Sequence, residues 1–96
     1  MPQTQKIGKH KTRCFIDNEG FFNVQYWDTI IFKTKDNICI LNNGEYYTNT
    51  TKNRINQAFN EKNIPFHVYQ SKRQWYIRNY NTNEIKEYQN NIILTY

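Results

Sequence analysis

Only three glycines and two prolines punctuate the 96 residues of this chain, and only two cysteines and two histidines are available for metal or redox chemistry. Gly8, Gly20 and Gly44 stand far apart, so no Gly-rich phosphate loop can be assembled from them. Cys14 and Cys39 have no ligand spacing to His10 or His67, which argues against a metal site. No cationic, apolar or cleavable leader precedes the cysteines. The expectation is therefore two reduced, buried thiols in a cytoplasmic protein, not a disulfide. No apolar run approaches the ~20 residues that span a bilayer, so a soluble protein without membrane contact is expected. Carboxylates are scarce too. Asp17, Glu19, Asp28, Asp36, Glu45, Glu61, Glu84 and Glu87 are scattered, mostly at turns, and no pair is spaced for general acid and base roles. A nucleophile built from Cys14 or Cys39 with His67 would have to be assembled by the fold; buried thiols beside a strand histidine are the simpler reading. The reading is no enzyme and no cofactor.

Aromatic residues and positive charge are what the chain has in quantity. Eight Tyr, six Phe and two Trp accompany many Ile residues, a composition that builds a core on a sheet. The length suits one domain, since two would each be too small to bury an adequate core. The abundant Asn residues fall mainly between apolar runs, where turns use them. The net charge of +5 and pI near 9.3 favour an acidic partner, either nucleic acid or a negative protein surface. Lys6, Lys9, Lys11 and Arg13 open the chain with no carboxylate among them, so residues 1–12 read as a flexible basic arm before a domain of residues 13–96.

Periodicity predicts an α+β fold: a small antiparallel sheet of about five to seven short strands in a meander and hairpins, packed by one helix. Cys14-Phe15-Ile16 is a first strand, with Asp17-Asn18-Glu19-Gly20 as its turn. Phe22, Val24 and Tyr26 then alternate with Asn23 and Gln25. Ile30 and Phe32 share a side of the next strand, and Asp36-Asn37 turns the chain into Ile38–Leu41. The helix is placed at residues 51–62, with Thr50 or Thr51 as N-cap and Asn63 at its left-handed end. Its stripe is Ile55, Ala58 and Phe59, while Lys52, Asn56, Asn60 and Glu61 look outward. Phe66–Gln70 and Arg73–Arg78 form a second hairpin about Ser71-Lys72, followed by strands at Glu84–Tyr88 and Ile92–Thr95.

Two stretches carry candidate chemistry. Lys52 and Arg54 sit in the first helical turn, where the helix dipole disfavours cations. With free backbone N–H groups and the hydroxyls of Thr50 and Thr51 they would make an anion site. The alternative is that Arg54 pairs with Glu45 or Asp28 and Lys52 is merely solvated. In the second hairpin Tyr69, Lys72, Arg73, Tyr76, Arg78 and Tyr80 interleave rings and cations, with Trp75 and Ile77 assigned inward. Such a face would stack bases at roughly 1 to 3 kcal/mol each. It equally suits a protein interface, where Tyr and Arg dominate, or rings that simply cover a small core.

From Tyr26 to Ile77 the ordered segments resemble a group of short bacteriophage proteins with no known enzymatic activity. The resemblance rests on Tyr26-Trp27-Asp28-Thr29-Ile30-Ile31, Leu41-Asn42-Asn43-Gly44 and Thr48-Asn49-Thr50-Thr51-Lys52-Asn53-Arg54-Ile55-Asn56, then on Val68-Tyr69-Gln70 and Trp75-Tyr76-Ile77. It departs at Glu45-Tyr46-Tyr47, where that pattern has Gly followed by an aromatic residue. The resemblance implies phage origin, and with it two functions. One is binding of DNA or RNA through the arm (Lys9, Lys11, Arg13), the helix start and the hairpin face. The other is inhibition of a host nucleic-acid-targeting defence enzyme, of anti-restriction or anti-CRISPR type, by protein contact.

Overall fold

The computed structural model describes residues 11–45 and 47–96. Lys6 and Lys9 of the expected arm lie outside the described residues; Thr12, its last residue, already pairs with Tyr26 in a strand. The elements are β1 (Thr12–Ile16), β2 (Phe22–Tyr26), β3 (Thr29–Lys35), β4 (Ile38–Leu41), α1 (Asn49–Glu61), β5 (Phe66–Ser71), β6 (Gln74–Asn79), β7 (Ile85–Glu87) and β8 (Ile92–Thr95). The α+β class holds, with antiparallel pairing throughout. The eight strands among the described residues divide between two sheets, not one: five in the order β1-β2-β3-β4-β8 and three in the order β5-β6-β7. The last strand leaves the smaller sheet and returns to β4.

The two sheets are separate because the helix occupies the edge between them. The Asn56 amide donates to Val68 O at 2.9 Å and accepts from Val68 N at 2.8 Å, closing the outer edge of β5 as a neighbouring strand would. Asn56 was expected to face solvent; instead it is half-buried against that edge. Thr51, Ile55, Ala58 and Phe59 form the buried stripe of the helix. Rings of Phe32, Phe59 and Phe66 meet edge-to-face at centroid spacings of 5.5 and 5.8 Å, and Phe66 meets Tyr96 at 6.2 Å. One continuous core therefore runs from the larger sheet through the helix to the smaller sheet.

Helix boundaries follow their caps. Thr48, extended at φ −102° and ψ 157°, is the N-cap, and its side chain accepts from Thr51 N at 3.2 Å. The helix thus begins two residues before the expected Thr51. At the other end Asn63 takes φ +55°, as anticipated, with Asn63 N bonded to Asn60 O and Ile64 N to Phe59 O. A register shift at Val24/Gln25 alters one expected face: Val24 pairs with Phe32 but Gln25 with Ile30, leaving Ile31 as an inserted residue. Ile31 joins Phe32 in the core, and Ile30 turns to the opposite side. The β5–β6 turn is Lys72-Arg73, not Ser71-Lys72, and both residues have positive φ, +51° and +68°. The asparagines work as turn formers: Asn42 and Asn43 accept from Gly44 N and Glu45 N at 2.6 and 2.7 Å, and the two asparagines reach across to Asn91 and Asn90.

Candidate nucleic-acid interface

Side-chain alternation gives the larger sheet an inner face that includes Cys14, Val24, Phe32, Cys39, Leu41 and Leu94. The strand positions on its other face are Arg13 and Phe15, Asn23 and Gln25, Ile30, Lys33 and Lys35, Ile38 and Ile40, and Ile93 and Thr95. None of them is a carboxylate. Three are cations, and each lies over a ring: Arg13 at 4.4 Å from the Phe15 centroid, Lys33 and Lys35 at 4.4 and 5.8 Å from Phe21, with the Lys35 ammonium also donating to Glu19 O at 2.6 Å. Asp17, in the β1–β2 turn, is committed to that turn, accepting from Glu19 N, Phe21 N and the Asn23 amide. Those bonds, the one from Asn23 foremost, and to a lesser extent the nearby Lys33 charge hold its carboxyl below the usual value. A shallow groove of about 400 Å³ crosses the face between Ile30, Lys33, Ile40 and Asn91 and continues to Asp28 and Thr29 at the β2–β3 turn. At that turn Trp27 is 56% exposed, and Lys11 places its ammonium 5.0 Å from the indole centroid.

The helix start is occupied by its own interactions. Thr51 is fully buried, and its hydroxyl lies 3.0 Å from that of Thr48. Lys52 donates to Gln70 Oε1 at 3.3 Å and lies 6.0 Å from the Trp75 ring; Arg54 donates from Nε to Thr12 Oγ1 at 3.1 Å. Both cations therefore bind the helix to neighbouring strands, and the partner of Arg54 is a hydroxyl of β1 where Glu45 or Asp28 was anticipated. Thr50 is half-buried.

The second hairpin is arranged as its alternation predicts, with Trp75 and Ile77 inward and His67, Tyr69, Tyr76 and Arg78 outward. Tyr69 and Tyr76 stack on each other at 5.6 Å, so each already covers a ring face. Arg78 donates to Asn83 Oδ1 at 2.9 Å and lies 5.5 Å from the Tyr80 centroid. Glu87 pairs with Tyr76 in the register and Ile85 with Arg78. Lys72 and Arg73 are exposed at the turn. Burial, then the nearby Lys52 charge, lowers the His67 pKa.

The structure thus separates residues that sequence reading grouped by position and brings together residues it left apart. Phe15, Phe21, Trp27, Lys33 and Lys35 were not among the candidates. Their signal was present in the Arg13-x-Phe15 and Lys33-x-Lys35 spacings, which place each pair on one face of a strand. Both cysteines are free thiols, Cys39 buried and Cys14 half-buried, and burial raises both pKa values. Among the described residues no cluster of His, Cys, Asp and Glu is arranged to hold a metal, and no helix is long and apolar enough to cross a membrane. No curated protein and no solved structure matches the chain. The sequence model of the Kyanoviridae Gp96 protein matches residues 1–95, so the chain belongs to that phage family.

Proposed function

We propose that this phage protein is a non-catalytic nucleic-acid-binding protein of the host cytoplasm, and that it contacts DNA or RNA through the open face of the larger sheet. The observation that carries the reading is the pairing of three cations with rings on a face whose strand positions include no carboxylate. Rings of this kind accept bases of any sequence, and ammonium and guanidinium groups beside them follow the phosphates. Lys11, just before β1, extends the charge at one edge of this face. Fluorescence anisotropy with labelled single strands and duplexes over a salt series tests the reading. Removing one cation from a phosphate reduces the slope of log affinity against log salt by about 0.7 to 0.9. Replacing Arg13, Lys33 and Lys35 together by Ala is expected to reduce that slope by about two. Lys52→Ala with Arg54→Ala should change it by less than the value of a single phosphate. Binding that ignores salt, or is unaffected by the triple substitution, rejects the assignment.

The outer face of the smaller sheet favours a second reading, inhibition of a host nucleic-acid-targeting defence enzyme by protein contact. Its stacked Tyr69 and Tyr76, Arg78 and the 53% exposed Tyr80 and Ile85 have the composition of protein hot spots. A stoichiometric complex with such an enzyme, recovered from nuclease-treated host extract and abolished by Tyr76→Ala, would support it over the first.

A further inference from the structure

The β2–β3 turn bears a feature that the cationic face does not require. A pocket of about 370 Å³ is lined by Tyr26, Trp27, Asp28, Thr29, Ile31, Asn43 and Thr48. It lies where the turn meets the loop leading into the helix. Three observations there point to a ligand. Trp27 leaves 56% of its surface in solvent although it lines a concavity, and its backbone is held at φ +54°, a conformation bulky residues rarely adopt. The turn keeps an aromatic residue where Asn or Gly would be more stable, the kind of local strain that marks functional positions. Asn43 is 1% exposed, and its Nδ2 amide has no hydrogen-bond partner, although its Oδ1 is used by Glu45 N. A buried donor left unpaired is costly unless something else accepts from it. Asp28 and Thr29 line both this pocket and the groove on the open sheet face, so the two run into one another.

We infer that the pocket receives an unpaired base of a nucleic-acid strand lying along that groove, which makes the protein selective for single strands. The indole of Trp27 supplies the stacking surface. The Asn43 amide donates to a ring nitrogen or carbonyl of the base, and the Asp28 carboxylate accepts from an N–H on the same edge. Those edge groups are engaged by the complementary strand in a duplex, so only an unpaired base can offer them. Lys11, now 5.0 Å from the Trp27 centroid, is placed to move from the ring to the adjoining phosphate. The inference rests on the proposed nucleic-acid function and adds to it the preferred form of the ligand.

Intrinsic fluorescence of the full chain is a direct probe, because the second tryptophan, Trp75, is fully buried and only Trp27 can be stacked upon. The ligands are single-stranded DNA and RNA of about 12 nucleotides and the duplexes of the same sequences. Single strands are expected to quench the Trp27 emission and to bind roughly tenfold or more tighter than duplexes. Trp27→Gly suits the positive φ and keeps the fold. It should abolish the quenching and bring single-strand affinity down to the duplex level, with duplex affinity unchanged; Trp27→Phe should recover most of the loss. If Trp27→Gly binds single strands as tightly as the native chain while the substitution of Arg13, Lys33 and Lys35 still weakens binding, the pocket assignment is wrong and the function stands. If the native chain binds neither form at low salt, both fail.

Discussion

The two sheets turn different surfaces to solvent although both draw on rings and cations. Strand positions on the open face of the larger sheet hold three cations and no carboxylate, and the cations lie over phenylalanine rings that have no hydrogen-bonding group of their own. The outer face of the smaller sheet holds Arg78 and Glu87, and its tyrosines satisfy one another by stacking. A cation over such a half-exposed ring gains only about 0.5 to 1 kcal/mol, so a phosphate can displace Arg13 and Lys33 at little cost, whereas Lys35 also donates to Glu19 O at 2.6 Å. The smaller sheet has less to offer a polyanion and more to offer a protein. Composition alone does not separate such faces; what each group is already bound to does.

The most severe way to break this contrast is to dismantle one sheet and leave the other. Asn56→Ala removes both side-chain bonds that close the edge of β5 and strands the Val68 N–H and C=O beside the helix. Unpaired groups of that kind cost about 1 to 3 kcal/mol each, and part of this is recovered by water, so a loss of about 2 to 3 kcal/mol is expected. Hydrogen exchange should show β5 and β6 losing protection first while β2, β3 and β4 keep theirs. Nucleic-acid affinity, measured where the larger sheet remains protected, should be largely retained. A parallel collapse of affinity would move the interface to the smaller sheet.

A smaller change of opposite sign concerns the turn of that sheet. Lys72 and Arg73 both occupy the left-handed region, where side chains other than Gly and Asn are disfavoured by about 1 to 2 kcal/mol per residue. Lys72→Asn with Arg73→Gly supplies the residues such a two-residue turn prefers. The melting temperature should rise by an amount corresponding to about 1 kcal/mol. If the contact surface is the larger sheet, binding at moderate salt is preserved even though two exposed cations have gone. A large loss of binding would show that the strained turn is kept for its charge.

Most elements were legible in the chain because period-two alternation and turn residues are local signals: the strand faces of the second hairpin, the apolar stripe of the helix and Asn63 at its end all follow from neighbours within a few residues. The bulge at Ile31 was not, since an inserted residue is defined only against the partner strand. Nor was the division into two sheets, which depends on Asn56 meeting the edge of a strand twelve residues on. The candidate site was less legible still. Thr51 and Arg54 have the residue types of an anion site, but the burial of Thr51 and the bond from Arg54 Nε to Thr12 depend on long-range packing that the sequence does not display. Arg13 and Phe15 are close enough in sequence to be paired by alternation, but Lys33 and Lys35 meet Phe21 only through strand order.

The mildest test separates the sheets by acid. Burial and the Lys52 charge depress the His67 pKa below its ordinary 6.5, so the folded chain resists protonation where the unfolded chain accepts it. Above that value both forms are neutral and stability is complete. As pH falls through it, the unfolded state binds the proton first and stability declines, until His67 titrates in the fold at its lower pKa. Asp17 behaves in the other sense for a carboxylate: its depressed pKa contributes stability above the ordinary 3.8 that disappears as pH falls through the folded value. Acidification from about pH 7 to about pH 5 should therefore weaken the smaller sheet, where His67 packs beside Tyr80, before it touches the β1–β2 turn of the larger one. His67→Gln is expected to flatten the melting-temperature profile over that interval and leave the decline below it intact. An identical profile in the variant would mean that His67 is as readily protonated in the fold as in the open chain.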